Sequence, residues 1–89
     1  MLTNPEEVKC AGIQIESKEA LNKSDRDENV DRIITMIRNL DSEVDLVVTP
    51  ELCTIGYTKA AFEALSETGE TKSGESIQKF QAVAKEKDC

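Results

Sequence analysis

One amphipathic helix pattern between two short runs of β-branched residues constrains the fold more than any other feature of this chain. The apolar residues of the helix pattern recur at spacings of three and four: Val30, Ile33, Ile34, Ile37 and Leu40. Residues 8–15 (VKCAGIQI) precede the helix and residues 44–49 (VDLVVT) follow it, and both runs are typical of strands. Strand, helix and strand form a βαβ unit, so the sequence predicts two parallel strands in an α/β fold.

Both faces of the first predicted strand carry small or apolar residues. Ala11, Ile13 and Ile15 lie on one face, and Val8, Cys10 and Gly12 lie on the other. The second strand is equally apolar. We therefore expect both faces of the sheet to be buried, with Cys10 as a small buried hydrophobic side chain.

The ends of the first helix are marked by polar residues. Asp25 and Glu28 have the spacing of a capping box, and Ser24 or Asp27 are alternative caps, so we expect the helix to begin in this stretch. Asp41, followed by a serine, is expected to close it.

The rest of the chain continues the alternation of helix and strand. After a turn at residues 54–57, the sequence predicts a short helix at 59–65, a polar loop at 68–74 and a last helix at 75–87. The sequence ends where an α/β alternation requires a third strand. We therefore expect residues 1–89 to be the N-terminal part of a single larger domain, with no second domain.

The composition argues against several classes of function. Eighteen acidic residues against eleven basic ones give a net charge of −7, which repels nucleic acid and anionic membranes. Residues 1–8 lack a secretory signal pattern, and no segment is long enough to span a bilayer. Three widely separated cysteines and no histidine predict free thiols, a cytoplasmic location, and neither a metal site nor a cofactor.

Ligands of parallel sheets bind beyond the carboxyl ends of the strands. The loop after the first strand, residues 16–24, has no glycine, which disfavours a nucleotide-binding domain. After the second strand, Pro50 ends the sheet pairing and fixes its own φ, so it holds Glu51 at the rim of the sheet. A partly desolvated carboxylate there suits a general base, and the alternative interpretation is a surface glutamate in a turn.

Three segments stand together in an informative order and spacing. They are the AGIQI run of the first strand, Asn29 at the start of the first helix, and DLVVTPELCTIGY at residues 45–57. Over nearly its whole length the chain resembles the N-terminus of the nitrilase superfamily, the carbon–nitrogen hydrolases, and residues 45–57 are the most specific part of the resemblance. It implies an α-β-β-α sandwich, of which this chain is the first βαβα segment.

The resemblance also implies a chemistry. In that family a Glu, a Lys and a Cys form the catalytic set, and the glutamate that follows proline at the end of the second strand is Glu51 here. The lysine and cysteine belong to motifs downstream of Cys89, so we expect this chain alone to be inactive. In a complete relative a thiolate attacks an amide, nitrile or carbamoyl carbon, ammonia or an amine leaves, and the acyl enzyme is hydrolysed. Glu51 serves as general base while the lysine stabilises the developing negative charge.

Other polar residues are weaker candidates. Cys53 lies two residues after Glu51 without a histidine to activate it, so a packed thiol is favoured over a nucleophile. Gln14 is expected inside a buried strand, with a secondary role in orienting Glu51 left open. Tyr57 either lines a pocket or packs in a small hydrophobic cluster, and the second is favoured. Solvated faces are expected for the lysines: Lys59, Lys72, Lys79, Lys85 and Lys87.

Two hypotheses about function follow. In the leading one, the complete enzyme hydrolyses a small-molecule amide, nitrile or carbamoyl compound, forms a homo-oligomer, and binds neither nucleic acid nor membrane. In the other, the chain is a non-catalytic short product that pairs with a full-length relative or another subunit through its exposed sheet edge.

Overall fold

A computed structural model of the chain describes residues 7–89, so most of the N-terminal stretch in which no secretory signal was found lies outside the described residues. The elements, in chain order, are β1 (Cys10–Gly12), α1 (Lys23–Arg38), β2 (Leu46–Val48), α2 (Lys59–Glu63), α3 (Leu65–Thr68) and α4 (Glu75–Lys87). The two strands form one parallel sheet. The prediction of an α/β fold is confirmed for the two parallel strands and the helix between them.

The two strands are shorter than predicted but pair in one clear register. Cys10 lies opposite Leu46, and Gly12 lies opposite Val48. Backbone bonds extend the ladder at both ends, because the Asp45 amide donates to the Lys9 carbonyl at 2.8 Å and the Ile13 amide donates to the Val48 carbonyl at 2.8 Å. The carboxyl ends of both strands therefore lie side by side.

One face of the sheet is covered by α1 and α4. The fully packed core contains the predicted stripe of α1 together with one residue of β1's extension and one of α4: Ile13, Val30, Ile33, Ile34, Ile37 and Val83. Val47 and Phe80 pack against it. The strongest periodic pattern in the sequence is thus the pattern that builds the core.

The opposite face of the sheet is not covered, so the prediction of two buried faces is wrong. Val8, Leu46 and Val48 are 49%, 50% and 55% exposed. Cys10 is exposed on this face instead of buried, and Gln14, just beyond β1, is exposed as well. Apolar residues show that a strand face is suited to burial, but the covering layer has to come from elsewhere.

The start of α1 differs from the predicted caps. Asn22 is the N-cap, and its side-chain oxygen accepts a hydrogen bond from the Asp25 amide at 2.9 Å. Asp25 in turn accepts a bond from the Leu21 amide at 3.1 Å, which lowers the pKa of the Asp25 carboxyl. Asn22 and Asp25 have the spacing of a capping box, three residues before the predicted pair, but the second bond comes from the Leu21 amide and not from the amide of the N-cap.

The bounds of the later helices agree closely with prediction. The last helix begins and ends where expected, at Glu75 and Lys87. The short helix predicted at 59–65 is divided at Ala64 into α2 and α3, and α3 takes in Thr68, which had been placed in the loop.

A buried cation joins three helices on the covered side. Arg26 of α1 is 4% exposed and donates to the Thr68 carbonyl at 3.1 Å, and its Nε lies 3.4 Å from the Glu70 carboxylate. Glu70 also accepts a bond from the Ser76 amide at 2.8 Å, near the start of α4. Burial acts to raise the pKa of Glu70, but the hydrogen bond from the Ser76 amide and the charge of Arg26 outweigh it and hold the pKa below its usual value.

Candidate functional site

The chain turns sharply after β2, at the position where the sequence placed a site. Residues 51–55 form a turn in which the Ile55 and Gly56 amides both donate to the Leu52 carbonyl, at 3.2 and 3.0 Å. Leu52 has a φ of 54°, in the left-handed region. That conformation costs a non-glycine residue about 1–2 kcal/mol, so the surroundings must hold it.

The loop after β1 supplies those surroundings. Three consecutive carbonyls of the turn each accept a hydrogen bond from residues 17–29. Ser17 Oγ donates to the Cys53 carbonyl, Asn29 Nδ2 donates to the Thr54 carbonyl at 2.9 Å, and the Ala20 amide donates to the Ile55 carbonyl at 2.9 Å. The two loops beyond the strand ends thus form one hydrogen-bonded unit, which we call the loop–turn clamp.

Asn29 lies at the centre of the loop–turn clamp. Its side chain is fully buried, and its amide oxygen accepts a bond from the Lys18 amide at 2.8 Å. Its amide nitrogen donates to the Lys18 carbonyl at 2.7 Å as well as to Thr54. Every polar atom of this side chain has a partner, as a buried amide requires.

Gly56 allows the closest approach between the two segments. Its φ is 82°, and a Cβ at this position would lie 3.3 Å from the Lys18 carbonyl oxygen. A side chain there is disfavoured both by the backbone conformation and by the contact.

Glu51 precedes the strained residue and extends from the turn into solvent. It is exposed, and within residues 7–89 its carboxylate makes no hydrogen bond or ion pair. The expected partial desolvation is therefore not found. The clamp fixes the turn that carries Glu51 and leaves its oxygens open to other groups.

A groove of about 300 Å³ lies beside the turn. Leu52 and Ile55 line one side of it, and Leu65, Ile77 and Phe80 line the other. Glu51 is not among its lining residues. The turn therefore presents apolar side chains to α3 and α4 while its carboxylate lies elsewhere.

The cations near these loops are engaged by acids. Lys18 Nζ lies 3.1 Å from Glu28 and 3.4 Å from Asp25, and the hydrogen bond to Glu28 is the main cause that raises the pKa of Lys18. Among the lysines considered from the sequence, Lys79 pairs with Asp31 at 3.0 Å. Lys87 donates to the Leu40 carbonyl at 2.8 Å, beyond the C-terminus of α1.

The cysteines differ in their surroundings. Cys53 is half-buried and packs against the core, whereas Cys10 and Cys89 are exposed. The interpretation of Cys53 as a packed thiol agrees with this position. Tyr57 is exposed and meets Phe62 edge to face, with ring centroids 5.4 Å apart, so it forms a small surface pair.

Sequence reasoning missed several parts of the clamp. Ser17 and Ala20 carried no local signal, because their bonds join residues more than thirty positions apart. Asn29 was noted only for its place in the order of segments. The glycine at position 56 was the one available hint of a close approach.

Residues 7–89 contain neither a membrane-spanning helix nor a group of side chains placed to bind a metal ion. No helix within residues 7–89 is both long and apolar enough to cross a membrane. The same stretch holds no group of three or more cysteine, aspartate and glutamate side chains placed to bind a metal ion.

Comparison with known proteins identifies one related family. The family model described as carbon–nitrogen hydrolase matches residues 9–89, which include both strands, all four helices and the loop–turn clamp. Searches of curated proteins and of solved structures gave no significant match.

Proposed function

The chain belongs to the carbon–nitrogen hydrolase family, and on this basis we propose that Glu51 is the general base of a Glu-Lys-Cys catalytic set. The observation that carries the proposal is the turn after β2, which is fixed by three hydrogen bonds and presents, beyond the strand ends, a carboxylate that has no partner within residues 7–89. A base must be held rigidly yet remain within reach of the proton it accepts. The clamp holds the backbone of the turn that follows Glu51, and the carboxylate is open to solvent, which supports this role.

The lysine and the cysteine of the set are supplied by chain outside residues 1–89. Glu51 accepts the thiol proton, and the resulting thiolate attacks the carbon of an amide, nitrile or carbamoyl group. For an amide, the C–N bond breaks as Glu51 returns the proton to the leaving nitrogen. Water then gives a proton to Glu51 and attacks the thioester, the C–S bond breaks to release the acid, and Glu51 returns that proton to the cysteine sulfur. The lysine stabilises the oxyanion of each tetrahedral intermediate.

The uncovered face of the sheet supports the proposal that residues 1–89 form only part of the domain that contains the site. Leu46 and Val48 expose about half of their surface, as a sheet would before a second layer packs on it. We place residues 1–89 at the start of a single α-β-β-α domain of a cytoplasmic, homo-oligomeric enzyme. In that arrangement the second sheet covers this face, and the residues around Glu51 come from later strands.

Hydrolysis by the complete domain tests the role of Glu51. Here residues 1–89 are followed by a segment that carries the lysine and cysteine, and ammonia release is measured on simple amides, nitriles and carbamoyl compounds. Glu51→Gln keeps the size of the side chain but removes the base, so kcat should fall by about 10²–10⁴-fold. The 89-residue chain alone should release no ammonia.

Glu63→Gln is the matched control. Glu63 is an exposed glutamate of α2, 3.7 Å from the still more exposed Lys59. The same change of charge there should leave kcat unaltered. Retention of full activity by Glu51→Gln, or equal losses in the two variants, would remove Glu51 from the catalytic set.

A second function is favoured by the same uncovered face. A continuous apolar patch containing Val8, Leu46 and Val48 suits pairing with another polypeptide, so the chain can act as a non-catalytic partner of a full-length relative or another subunit.

Sedimentation velocity separates this function from the first. A pairing module forms a discrete complex with the complete enzyme, and the double variant Leu46→Thr, Val48→Thr loses it. Leu65→Thr is the control, because Leu65 is 47% exposed on α3, outside the patch. Absence of any discrete complex would exclude the pairing function.

A further inference from the structure

Within the loop–turn clamp, Asn29 forms hydrogen bonds that the packing of α1 alone does not require. Asn29 could be replaced by an apolar residue if α1 needed only to fill the core at this position. Instead it uses its whole amide to join the Lys18 backbone, in the loop after β1, to the Thr54 carbonyl, in the turn after β2. Within residues 7–89, no other side chain of α1 forms hydrogen bonds to both loops.

One bond of Asn29 reaches the turn that contains Leu52, the strained residue next to Glu51. Leu52 is left-handed, and its carbonyl accepts both the Ile55 and the Gly56 amides. The Thr54 carbonyl, held by Asn29, lies between these points, and Ser17 and Ala20 hold the carbonyls on either side of it. Release of the central bond would let the turn relax towards an ordinary φ at Leu52.

From this geometry we infer that Asn29 is a positioning residue for Glu51. It fixes the backbone conformation of the turn that begins with Glu51, without contacting the Glu51 carboxylate. The catalytic consequence of this inference rests on the proposed function, but the structural claim does not. Asn29 therefore acts on the base through the conformation of Leu52.

Asn29→Asp in the 89-residue chain tests the structural claim. Aspartate has the same shape and keeps the acceptor for the Lys18 amide, but it loses both donated bonds. A strong intraresidue NOE between the amide proton and Hα marks a positive φ, and NMR should show it at Leu52 in the wild type and not in the variant. Hydrogen exchange of the Gly56 amide should become about tenfold faster or more, because its turn loses a buried bond.

Asn22→Asp is the matched control on the same helix. The Asn22 side chain accepts a bond from Asp25, a role that aspartate keeps, so the turn should be unaffected. Ser17→Ala gives a second route if Asn29→Asp unfolds, since it removes only the bond to Cys53 from a partly buried loop. Amides within α1 report whether each variant remains folded.

The outcomes separate the two claims. A wild-type Leu52 without the NOE, or a folded Asn29→Asp variant that keeps it, overturns the positioning inference whatever the enzyme does. If Asn29→Asp unfolds, a Ser17→Ala variant that keeps the NOE and the slow exchange of the Gly56 amide overturns it instead. In the complete domain, Asn29→Asp should lower kcat at least tenfold with a smaller change in KM. An unchanged kcat with a relaxed Leu52 overturns the catalytic consequence, whereas full activity of Glu51→Gln overturns the proposed function alone.

Discussion

Alanine substitutions at two glycines should change the stability of this chain in opposite directions. Gly56 has a φ of 82°, and a Cβ there would lie 3.3 Å from the Lys18 carbonyl oxygen. Gly12 has an ordinary φ, and a Cβ there would meet nothing within 4 Å. The two positions differ mainly in whether the native backbone accepts a side chain.

The expected magnitudes follow from those environments. An L-residue at the left-handed φ of position 56 costs about 1–2 kcal/mol, and the tight contact adds to this. The lower entropy of the unfolded alanine chain offsets about 0.4–1 kcal/mol. Gly56→Ala should therefore lose about 1 kcal/mol of stability, whereas Gly12→Ala should gain about 0.4–1 kcal/mol.

Thermal unfolding followed by circular dichroism measures both effects. For a domain of this size, 1 kcal/mol corresponds to a shift in Tm of about 4–8 °C. Gly56→Ala should lower Tm by about that amount, and Gly12→Ala should raise it by a few degrees. A Gly56→Ala chain as stable as the wild type would show that the loop–turn clamp does not hold the backbone as described.

Three further predictions concern the core, the acid response and the uncovered face. Ile33→Ala, at a fully buried position, should lose about 2–5 kcal/mol in urea unfolding, whereas Met36→Ala, partly exposed on the same helix, should lose much less; equal losses would contradict the packing. The folded pKa of Glu70 lies below the ordinary 4.5, so its contribution to stability is present above pH 4.5 and lost as the pH falls through the folded value. Glu70→Gln should flatten that part of the pH profile, and an unchanged slope would refute the assignment. Alkylation followed by mass spectrometry should show that exposed Cys10 is modified faster than half-buried Cys53. Faster modification of Cys53 would contradict the assignment of the sheet face that carries Cys10 as the uncovered one.

The parts of the fold set by local periodicity could be predicted from the sequence. The α1 stripe contains Ile33 and Ile37, four residues apart along one face, and both lie in the core. The bounds of α4 were correct because its apolar spacing, which starts at Ile77, follows within one turn of Gly74, which serves as its N-cap. In both helices the pattern lies within a few turns of chain, so no distant contact is needed to read it.

The parts that depend on distant contacts could not be predicted in the same way. Asn22, Ser24, Asp25 and Asp27 are all suitable caps, and the bond that the Asp25 carboxylate accepts from the Leu21 amide, just before Asn22, favours Asn22. The prediction that Cys10 is buried was wrong for a different reason, because the layer that would cover it is not formed by residues 7–89.

The sequence indicated that a turn follows the second strand at Glu51, but it did not indicate how that turn is held. The proline before Glu51 correctly indicated the end of the sheet pairing. The left-handed Leu52 and the buried Asn29 are visible only when the loop after β1 is folded against the turn after β2. A contact between segments 25 positions apart has no local signature in the sequence.

The most direct measurement is the location of the covalent acyl adduct in the complete domain. Substrate is trapped on the enzyme by rapid acid quench, and the modified peptide is identified by mass spectrometry. If Glu51 acts with a nucleophile from outside this segment, the adduct lies on a cysteine beyond residues 1–89 and forms far more slowly in Glu51→Gln. An adduct on Cys53, or one that forms at the same rate without the Glu51 carboxylate, would contradict the proposed division of the catalytic set.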